Sequence, residues 1–243
     1  MEIIAIKTEK LLHKSIGLFE FLDKYITDIA PSSVVVISSK ALSIIIGDTI
    51  EMQSDYSEVI SGEAEYISEA KNRYGHHMTV KNNVFISGSG IDHSNGNGLL
   101  ILLPKEPQVL AKQIYKHLAE KFKLSNFGIV ITDSQSVLLR RGAVGVSIGF
   151  YGFAPLHDYV GEQDIFGRDF KFEKSNLVDQ IAAAANLVMG EGQEQTPIAT
   201  VSGLTGLQYG SDLPTSAQLR EFLLTPEEDI FHIFYENRLK KTK

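Results

Sequence analysis

Short, uninterrupted runs of apolar residues recur along this chain and alternate with segments of helical periodicity. Runs of this kind are typical of strands that are buried on both faces of a sheet. They predict strands at Ile3–Ile6, Val34–Ile37, Leu99–Leu103, Ile129–Ile131 and Pro197–Val201. Two further short apolar segments, around 79–80 and 84–85, flank Lys81-Asn82-Asn83 and predict a hairpin.

Helices are predicted at about 17–29, 54–73, 105–123, 175–189 and 215–224. In the third, an apolar residue recurs at every fourth position from Leu110 to Phe122, which places one face against a core. The fourth is expected to begin after Ser175 or Asn176 as its cap and to end at Gly190. Because helices and strands are mixed along the chain, the fold class is α/β (mixed α+β). Without a convincing linker or repeat, residues 1–243 are predicted to form a single unit.

Composition narrows the class of protein. With 243 residues, of which 43% are hydrophobic, the chain can bury a sizeable core. The absence of cysteine excludes disulfides, thiolate catalysis and Cys-ligated zinc. A net charge of −7 argues against a nucleic-acid partner. No apolar run approaches the roughly 20 residues of a membrane span, and no signal peptide is recognisable, so we expect no membrane association and a cytoplasmic location.

Acidic residues within polar, glycine-containing turns are the main candidates for chemistry. Asp92 lies in SGIDHSNGNG and Asp133 in ITDS, each directly after an apolar run. Two strand-end carboxylates beside small hydroxyl residues predict a metal–phosphate site, although either motif alone is more often a simple Asx-turn. Glu191, between Gly190 and Gly192, is a weaker third candidate ligand. The histidines show no metal-binding spacing, and the chain has no Walker A sequence.

Basic residues near these carboxylates are candidates for holding anions. Lys40 follows the strand at 34–37 and could reach a phosphate, although a lysine at such a position is more often simply exposed. Arg140 and Arg141 could clamp a carboxylate or phosphate, the alternative being surface arginines. The glycine-rich segment 142–167 predicts close backbone packing or a bulged strand. Its later acidic and basic residues, Asp158, Asp164 and Arg168, form either a functional loop or an internally paired one.

Taken together, these motifs resemble a known family. The sequences SGIDHSN, ITDS with Arg140 and Gly142, GVSIGFYGFAPLHDYVGEQDIFGR and DQIAAAANLVMGE are similar to those of the γ-glutamyl ligases of the deazaflavin coenzyme F420 pathway. They extend from about residue 33 to about residue 203, in the family's order and at compatible spacing. A set of this kind is far more specific than any one of its members.

The resemblance implies a ligase with the mixed α/β fold of that family. It implies GTP-dependent formation of an amide between L-glutamate and the carboxylate of an acceptor, either the deazaflavin coenzyme F420-0 or a folate. Mg²⁺ or Mn²⁺ is the implied cofactor, with K⁺ as a further candidate. The family's intertwined dimers imply a homodimer and a chain built of two intertwined subdomains. An apolar strip at Phe150, Tyr151 and Phe153 would belong either to the dimer interface or to the core.

Position by position, the resemblance assigns the metal site to Asp92, Asp133, Ser134 and Glu191. It assigns nucleotide contacts to Thr8, Glu9, Lys10, Leu11, Ser39, Lys40, Asn95, Met189, Gly190, Gly192, Gln193, Glu194, Gln195 and Thr196. Arg140 is the candidate catalytic residue, expected to hold the acceptor or a phosphate anion.

Three departures from the family pattern leave the acceptor open. Ile44 stands where the family commonly has a second lysine, four residues after Lys40. Thr8-Glu9-Lys10 replaces a Gly-Leu-Pro segment, and Gln180 replaces a glutamate after Asp179. The alternatives are a non-catalytic nucleotide- or metabolite-binding relative, which Ile44 favours, and a divalent-metal phosphohydrolase, which leaves the remaining motifs unexplained.

Overall fold

The structure, a computed structural model, describes residues 1–52 and 55–242. The strands are β1 (Glu2–Ile6), β2 (Ser33–Ser38), β3 (Thr49–Glu51), β4 (Tyr66–Lys71), β5 (His77–Lys81), β6 (Val84–Ser87), β7 (Leu99–Ile101), β8 (Phe127–Ser136), β9 (Ala143–Tyr151), β10 (Leu156–Asp158), β11 (Lys174–Asn176), β12 (Ile198–Ser202) and β13 (Leu239–Lys241). The helices are α1 (Leu18–Tyr25), α2 (Ser39–Ile46), α3 (Tyr56–Glu63), α4 (Pro107–Phe122), α5 (Leu177–Met189), α6 (Ser216–Phe222) and α7 (His232–Tyr235). The mixed α/β prediction is confirmed.

A five-stranded sheet, in the order β1-β12-β2-β8-β9, forms the centre of the molecule. Only β2 and β8 run parallel, in a register that pairs Ser38 with Thr132. The other neighbours within this sheet are antiparallel. The apolar runs of β2 and β8 are buried on both faces, as their sequences predict, because helices cover the sheet from both sides.

Two apolar cores lie on the two faces of the central sheet. On one face, helices α1, α2 and α4 pack against side chains such as Val35, Ile37 and Ile129. On the other, α5 packs against Val34, Val36 and neighbouring residues. The predicted apolar strip at Phe150, Tyr151 and Phe153 lies in these cores, with exposed fractions of 1%, 7% and 0%, so its role is packing. Full burial of such a side chain contributes about 1.5–3 kcal/mol.

The first part of the glycine-rich segment forms β9, in which close backbone packing and a bulge, the two alternatives predicted for it, are both present. A bulge between Ile131 and Thr132 leaves Ile148 without a partner residue on β8. A Cβ atom at Gly149 would lie 2.5 Å from the carbonyl oxygen of Pro107, the first residue of α4. One at Gly145 would lie 2.7 Å from a carbonyl oxygen of α5. The glycines therefore let both helices approach the strand closely.

A second, four-stranded sheet has the order β13-β4-β5-β6 and corrects one predicted helix. The predicted helix 54–73 begins at Ser54, which lies outside the described residues. Its first part is α3, but its second part is β4, because 66–71 pairs with β5 on one side and β13 on the other. Pairing of this kind overrides local helix propensity. The predicted hairpin is confirmed, with positive φ at both Asn82 and Asn83.

Most remaining boundaries agree with the sequence pattern. Helix α4 matches the prediction closely, and Asn176 caps α5 by accepting a hydrogen bond from the Asp179 amide. Helix α1 is shorter than predicted and ends at Tyr25. The apolar run at 99–103 contributes β7, which pairs with β3 rather than joining the central sheet. Across the described residues, every helix is too short or too polar to cross a bilayer.

Candidate functional site

A cavity of about 1000 Å³ opens at the end of the central sheet where β2 passes into α2. Because β2 and β8 are parallel, their carboxyl ends meet at this edge, which is where α/β sheets commonly bind ligands. The predicted site residues that line the cavity are Thr8, Glu9, Lys10, Leu11, Lys40, Asp92, Asn95, Asp133, Ser134, Met189, Gly190, Glu191, Gly192, Gln193, Glu194, Gln195 and Thr196. The structure therefore brings together segments that are distant in sequence.

Lys40 and Asp92 form an ion pair at the centre of this group. The Lys40 Nζ atom lies 2.6 Å from Asp92 Oδ2 and donates a 2.9 Å hydrogen bond to Ser94 Oγ. Asp92 Oδ1 accepts a 2.6 Å bond from the Ser94 amide, so the Asx-turn considered from sequence is present as well. Burial alone would raise the pKa of Asp92, but Lys40 and Ser94 outweigh it and the pKa is lowered. Asp92 is therefore a charged carboxylate with a neutralising partner.

Asp133 differs from Asp92 in its surroundings. Its Oδ1 atom accepts a 2.7 Å hydrogen bond from Ser39 Oγ, a buried hydroxyl that does not itself line the cavity. The sequence predicts Asp133 at a strand end, but β8 continues to Ser136, so the residue lies within the strand. Burial of the carboxyl group and, secondarily, the charge of Asp92 raise its pKa to about 6. Carboxyl groups perturbed in this way at a cavity are frequently functional.

Ser134 and Glu191 form a second, separate group. Ser134 Oγ donates a 2.7 Å hydrogen bond to Glu191 Oε1. Asn186, on α5, donates to both, at 3.1 Å and 3.0 Å. Successive side chains on a strand point to opposite faces of the sheet, so the side chains of Asp133 and Ser134 lie on opposite faces of β8. Sequence reasoning missed Asn186, although it stands within the DQIAAAANLVMGE motif.

A divalent cation fits this donor set only in part. Across residues 1–52 and 55–242, no three His, Cys, Asp or Glu side chains are grouped so that they could hold a metal ion. Asp92, Asp133 and Glu191 therefore do not form the three-carboxylate metal cluster that their assignment predicts. The charge of Asp92 contributes to the raised pKa of Asp133, and Mg²⁺ commonly uses one or two carboxylates together with substrate phosphates. These two residues fit a site of that kind.

The two predicted nucleotide-contacting segments contact one another. The Thr8 amide donates a 2.8 Å hydrogen bond to the carbonyl of Gln195. Asn95 Nδ2 donates to the carbonyl of Gly192 at 3.2 Å, which links the Asp92 turn to the same loop. Glu9, although it also lines the cavity, forms an ion pair with Lys24 at the surface, and this ion pair lowers the pKa of the Glu9 carboxyl group. The loop 189–196 is thus held between residues 8–11 and the turn at 92–95.

Two predicted features lie away from the cavity lining. Arg140 is exposed at the connection between β8 and β9, where its guanidinium donates to the neighbouring Leu139 carbonyl. In the loop after β10, Asp164 accepts hydrogen bonds from the amides of Phe166 and Arg168, so this loop is ordered through its backbone. Asp158 pairs with Lys174 rather than with an arginine.

Two further residues that line the cavity, Ile44 and Gln135, bear on what the cavity could bind. Ile44, at the place of the family's second lysine, lies on α2 and lines the cavity with an apolar side chain. Gln135, on the same face of β8 as Asp133, has a buried Oε1 atom with no hydrogen-bond partner among the described residues. Its sequence position gave no signal, because glutamine within a strand is ordinarily a solvated residue.

Comparison with known proteins identifies the family. The family model described as F420-0:Gamma-glutamyl ligase matches residues 20–203. The chain is 35% identical over 152 residues to the Coenzyme F420:L-glutamate ligase of Methanocaldococcus jannaschii, in a match that covers 63% of this chain and 58% of that protein. It is 29% identical over 248 residues to the protein of the same name from Methanococcus maripaludis strain C7, covering 95% of this chain and 97% of that one.

A third relative, the Coenzyme F420:L-glutamate ligase of Methanothermobacter thermautotrophicus, is 35% identical over 178 residues, or 72% of this chain and 67% of that protein. The matched region includes β2, β8, α5 and most of the residues that line the cavity. The resemblance drawn from the motifs is confirmed: the chain belongs to the F420-0:gamma-glutamyl ligase family, a family of ligases.

Proposed function

We propose that this protein is a GTP- and metal-dependent γ-glutamyl ligase that joins L-glutamate to the carboxylate of coenzyme F420-0 or a folate. The observation that carries the proposal is the meeting of Lys40, Asp92 and Asp133 in one cavity with the loop 189–196. That cavity has the size expected for small-molecule substrates. Cations and carboxylates at the end of a parallel strand pair are suited to phosphate groups and to the metal that accompanies them.

The chemistry follows from the need to activate a carboxylate. A carboxylate oxygen of the acceptor attacks the γ-phosphorus of GTP, the bond to the β-phosphate oxygen breaks, and GDP leaves. The glutamate amine then attacks the acyl phosphate carbon, phosphate departs, and the nitrogen loses a proton as the amide forms. Phosphoryl transfer of this kind depends mainly on positioning and charge neutralisation.

The residues of the cavity have distinct proposed roles. The Lys40 ammonium would hold phosphoryl oxygens, and Ser39 fixes the Asp133 carboxyl group through its hydrogen bond. Asp92 and Asp133 would hold a divalent cation, Mg²⁺ or Mn²⁺, which when bound neutralises phosphate charge. The backbone of residues 189–196, tied to Thr8 and Asn95, would border the nucleotide. Glu191, Ser134 and Asn186 would contribute hydrogen bonds from the opposite side of β8.

One observation supports the second candidate, a non-catalytic relative. Ile44 presents an apolar side chain to the cavity where a lysine would add a phosphate contact. A ligase and a non-catalytic relative differ in whether they consume GTP. We expect phosphate release from GTP only when an acceptor and glutamate are both present, and slower release with ATP. A protein that binds GTP but releases no phosphate under any combination would be the non-catalytic relative.

We further propose that the protein acts in the cytoplasm as a homodimer. In the loop between β10 and β11, the side chains of Ile165, Phe166 and Phe172 are 92%, 83% and 78% exposed. Large apolar side chains clustered on a surface are typical of an interaction site. A second copy of the chain is the partner that the family resemblance implies.

A further inference from the structure

The cavity has a second arm, built by the four-stranded sheet, to which none of the predicted site residues belongs. Arg73 and Tyr74 lie in the turn between β4 and β5, and Met78 and Phe85 follow on β5 and β6. All four line the same cavity as Lys40 and Asp92. We propose that this arm binds the flat heteroaromatic ring of the acceptor, an inference that rests on the ligase function proposed above.

The turn that carries Arg73 and Tyr74 is held in place by Asn72. Its Oδ1 atom accepts hydrogen bonds from the amides of Tyr74, at 2.9 Å, and His76, at 3.2 Å. Its Nδ2 atom donates to Ser87 Oγ at 3.0 Å, which fixes the turn to β6. The turn therefore presents its side chains from a rigid base, as a preorganised binding surface requires.

The side chains of Arg73 and Tyr74 contact each other within the turn. The central carbon of the Arg73 guanidinium lies over the Tyr74 ring, 4.6 Å from its centroid, and the guanidinium also contacts the Tyr74 hydroxyl. Tyr74 is 68% exposed, an unusual position for a large aromatic ring beside a cavity. Arg73 forms no ion pair with a carboxylate in the described part of the chain. A guanidinium and a phenol are both well suited to stack on a flat ring.

Phe85 also lines the arm, and its ring is supported by a neighbouring aromatic side chain. Its ring stacks on Tyr235 of α7 with centroids 5.6 Å apart and planes inclined by 17°. The thioether of Met78 adds an adaptable apolar contact. Aromatic walls, one thioether and one unpaired cation are the features expected of a site for a planar ligand that carries negative charge.

The arm connects directly to the charged centre of the cavity. Arg73 and Tyr74 line the same cavity as Lys40 and Asp92, and the chain runs from Phe85 through the turn at 88–90 to Asp92. An acceptor whose ring lies on Arg73 and Tyr74 would extend its carboxylate through this cavity toward Lys40 and Asp92. The nucleotide would occupy the other side, near residues 8–11 and 189–196.

The test separates acceptor binding from nucleotide binding. Arg73→Ala and Tyr74→Ala should each weaken binding of coenzyme F420-0, measured by isothermal titration, at least tenfold. Binding of GTP should stay within twofold. Arg73→Lys keeps the positive charge but replaces the planar guanidinium with an ammonium group. This variant should therefore keep only part of the wild-type affinity for coenzyme F420-0. Arg220→Ala, at an exposed arginine on α6 that does not line the cavity, is the matched control and should change neither constant. The same titrations with folic acid show which acceptor uses the arm.

Three results would overturn the proposal. Acceptor affinities unchanged within twofold in both alanine variants would show that the ring binds elsewhere. An equal loss of GTP affinity would assign the arm to the nucleotide base. If the wild-type protein bound neither acceptor, the cavity would not be an acceptor site. The proposed ligase function could fail while this proposal holds. In that case the wild-type protein would bind an acceptor through this arm but would transfer no glutamate to it.

Discussion

Asp133 carries its charge at a cost to the stability of the fold. Its carboxyl group is enclosed by protein and lies near Asp92, and its pKa is raised from 3.8 to about 6. Between these two pH values the folded protein binds more protons than the unfolded chain, so stability falls as the pH rises through this range. Above pH 6 the ionised carboxylate costs about 3 kcal/mol relative to the unfolded state. A bound divalent cation would offset that cost.

Asp133→Asn should therefore stabilise the metal-free protein while abolishing ligation. At pH 7.5, in the presence of a chelator, we expect a higher Tm and a gain of up to about 3 kcal/mol in the free energy of unfolding. The gain should shrink towards zero near pH 4, where the wild-type carboxyl group is protonated. Asp28→Asn, at an exposed site, is the control. A lower Tm for Asp133→Asn at pH 7.5 would show instead that the carboxylate stabilises the fold.

Arg140 provides a second test at the residue scale. If this side chain holds the acceptor or a phosphate in the transition state, Arg140→Ala should reduce kcat/KM by a factor equivalent to about 2–4 kcal/mol. In the single chain it is exposed at the β8–β9 connection. The hairpin tip would thus have to move, or be positioned by a partner subunit, to reach substrate. A change within twofold, equal to that of Arg220→Ala on α6, would make it a surface arginine.

The hairpin of β8 and β9 is the element on which the site depends most. It carries Asp133 and Ser134, and the close approach of α4 and α5 at Gly149 and Gly145 fixes its position. A Cβ atom at either glycine would meet backbone atoms, which cannot move as the end of a flexible side chain can. Side-chain volume at these positions is therefore coupled to the geometry of the site.

Gly149→Ala should destabilise the protein by about 1–3 kcal/mol, because the added methyl group would lie 2.5 Å from the Pro107 carbonyl oxygen. Chemical denaturation monitored by circular dichroism measures the change. Gly62→Ala is the matched control, since its methyl group would meet nothing within 4 Å on α3 and favours the helix. Equal stabilities for the two variants would mean that α4 and β9 are not packed as described.

Elements with a strong local signal could be predicted from sequence, whereas those fixed by distant pairing could not. Helices α4 and α5 follow from apolar periodicity and, for α5, from the Asn176 cap. Strand β4 was predicted as helix because its pairing with β13 joins residues far apart in the chain. The same limit applies to the site. Residue type identified Asp92, Asp133 and Lys40, but the contacts of Asn186 and the turn at Arg73 depend on tertiary packing.

At the scale of the whole molecule, several large apolar side chains of the described residues are exposed to solvent. Leu139, at the hairpin connection, is 96% exposed, and Ile165 is 92% exposed. We expect light scattering at micromolar concentration to give twice the 26.9 kDa of one chain. The double variant Ile165→Asp, Phe166→Asp should shift the mass towards that of one chain. A wild-type particle of 26.9 kDa would contradict the proposed dimer.

The ligase activity proposed for the cavity is tested most directly by mass spectrometry of the products, with coenzyme F420-0 and a folate offered separately together with L-glutamate, GTP and Mn²⁺. We expect one of the two acceptors to gain the mass of a glutamyl residue in an amide linkage, with GDP and phosphate formed in equal amounts. Asp133→Asn is the negative control and should give no product. An unchanged mass for both acceptors, while GTP binds to the wild-type protein, would contradict the account.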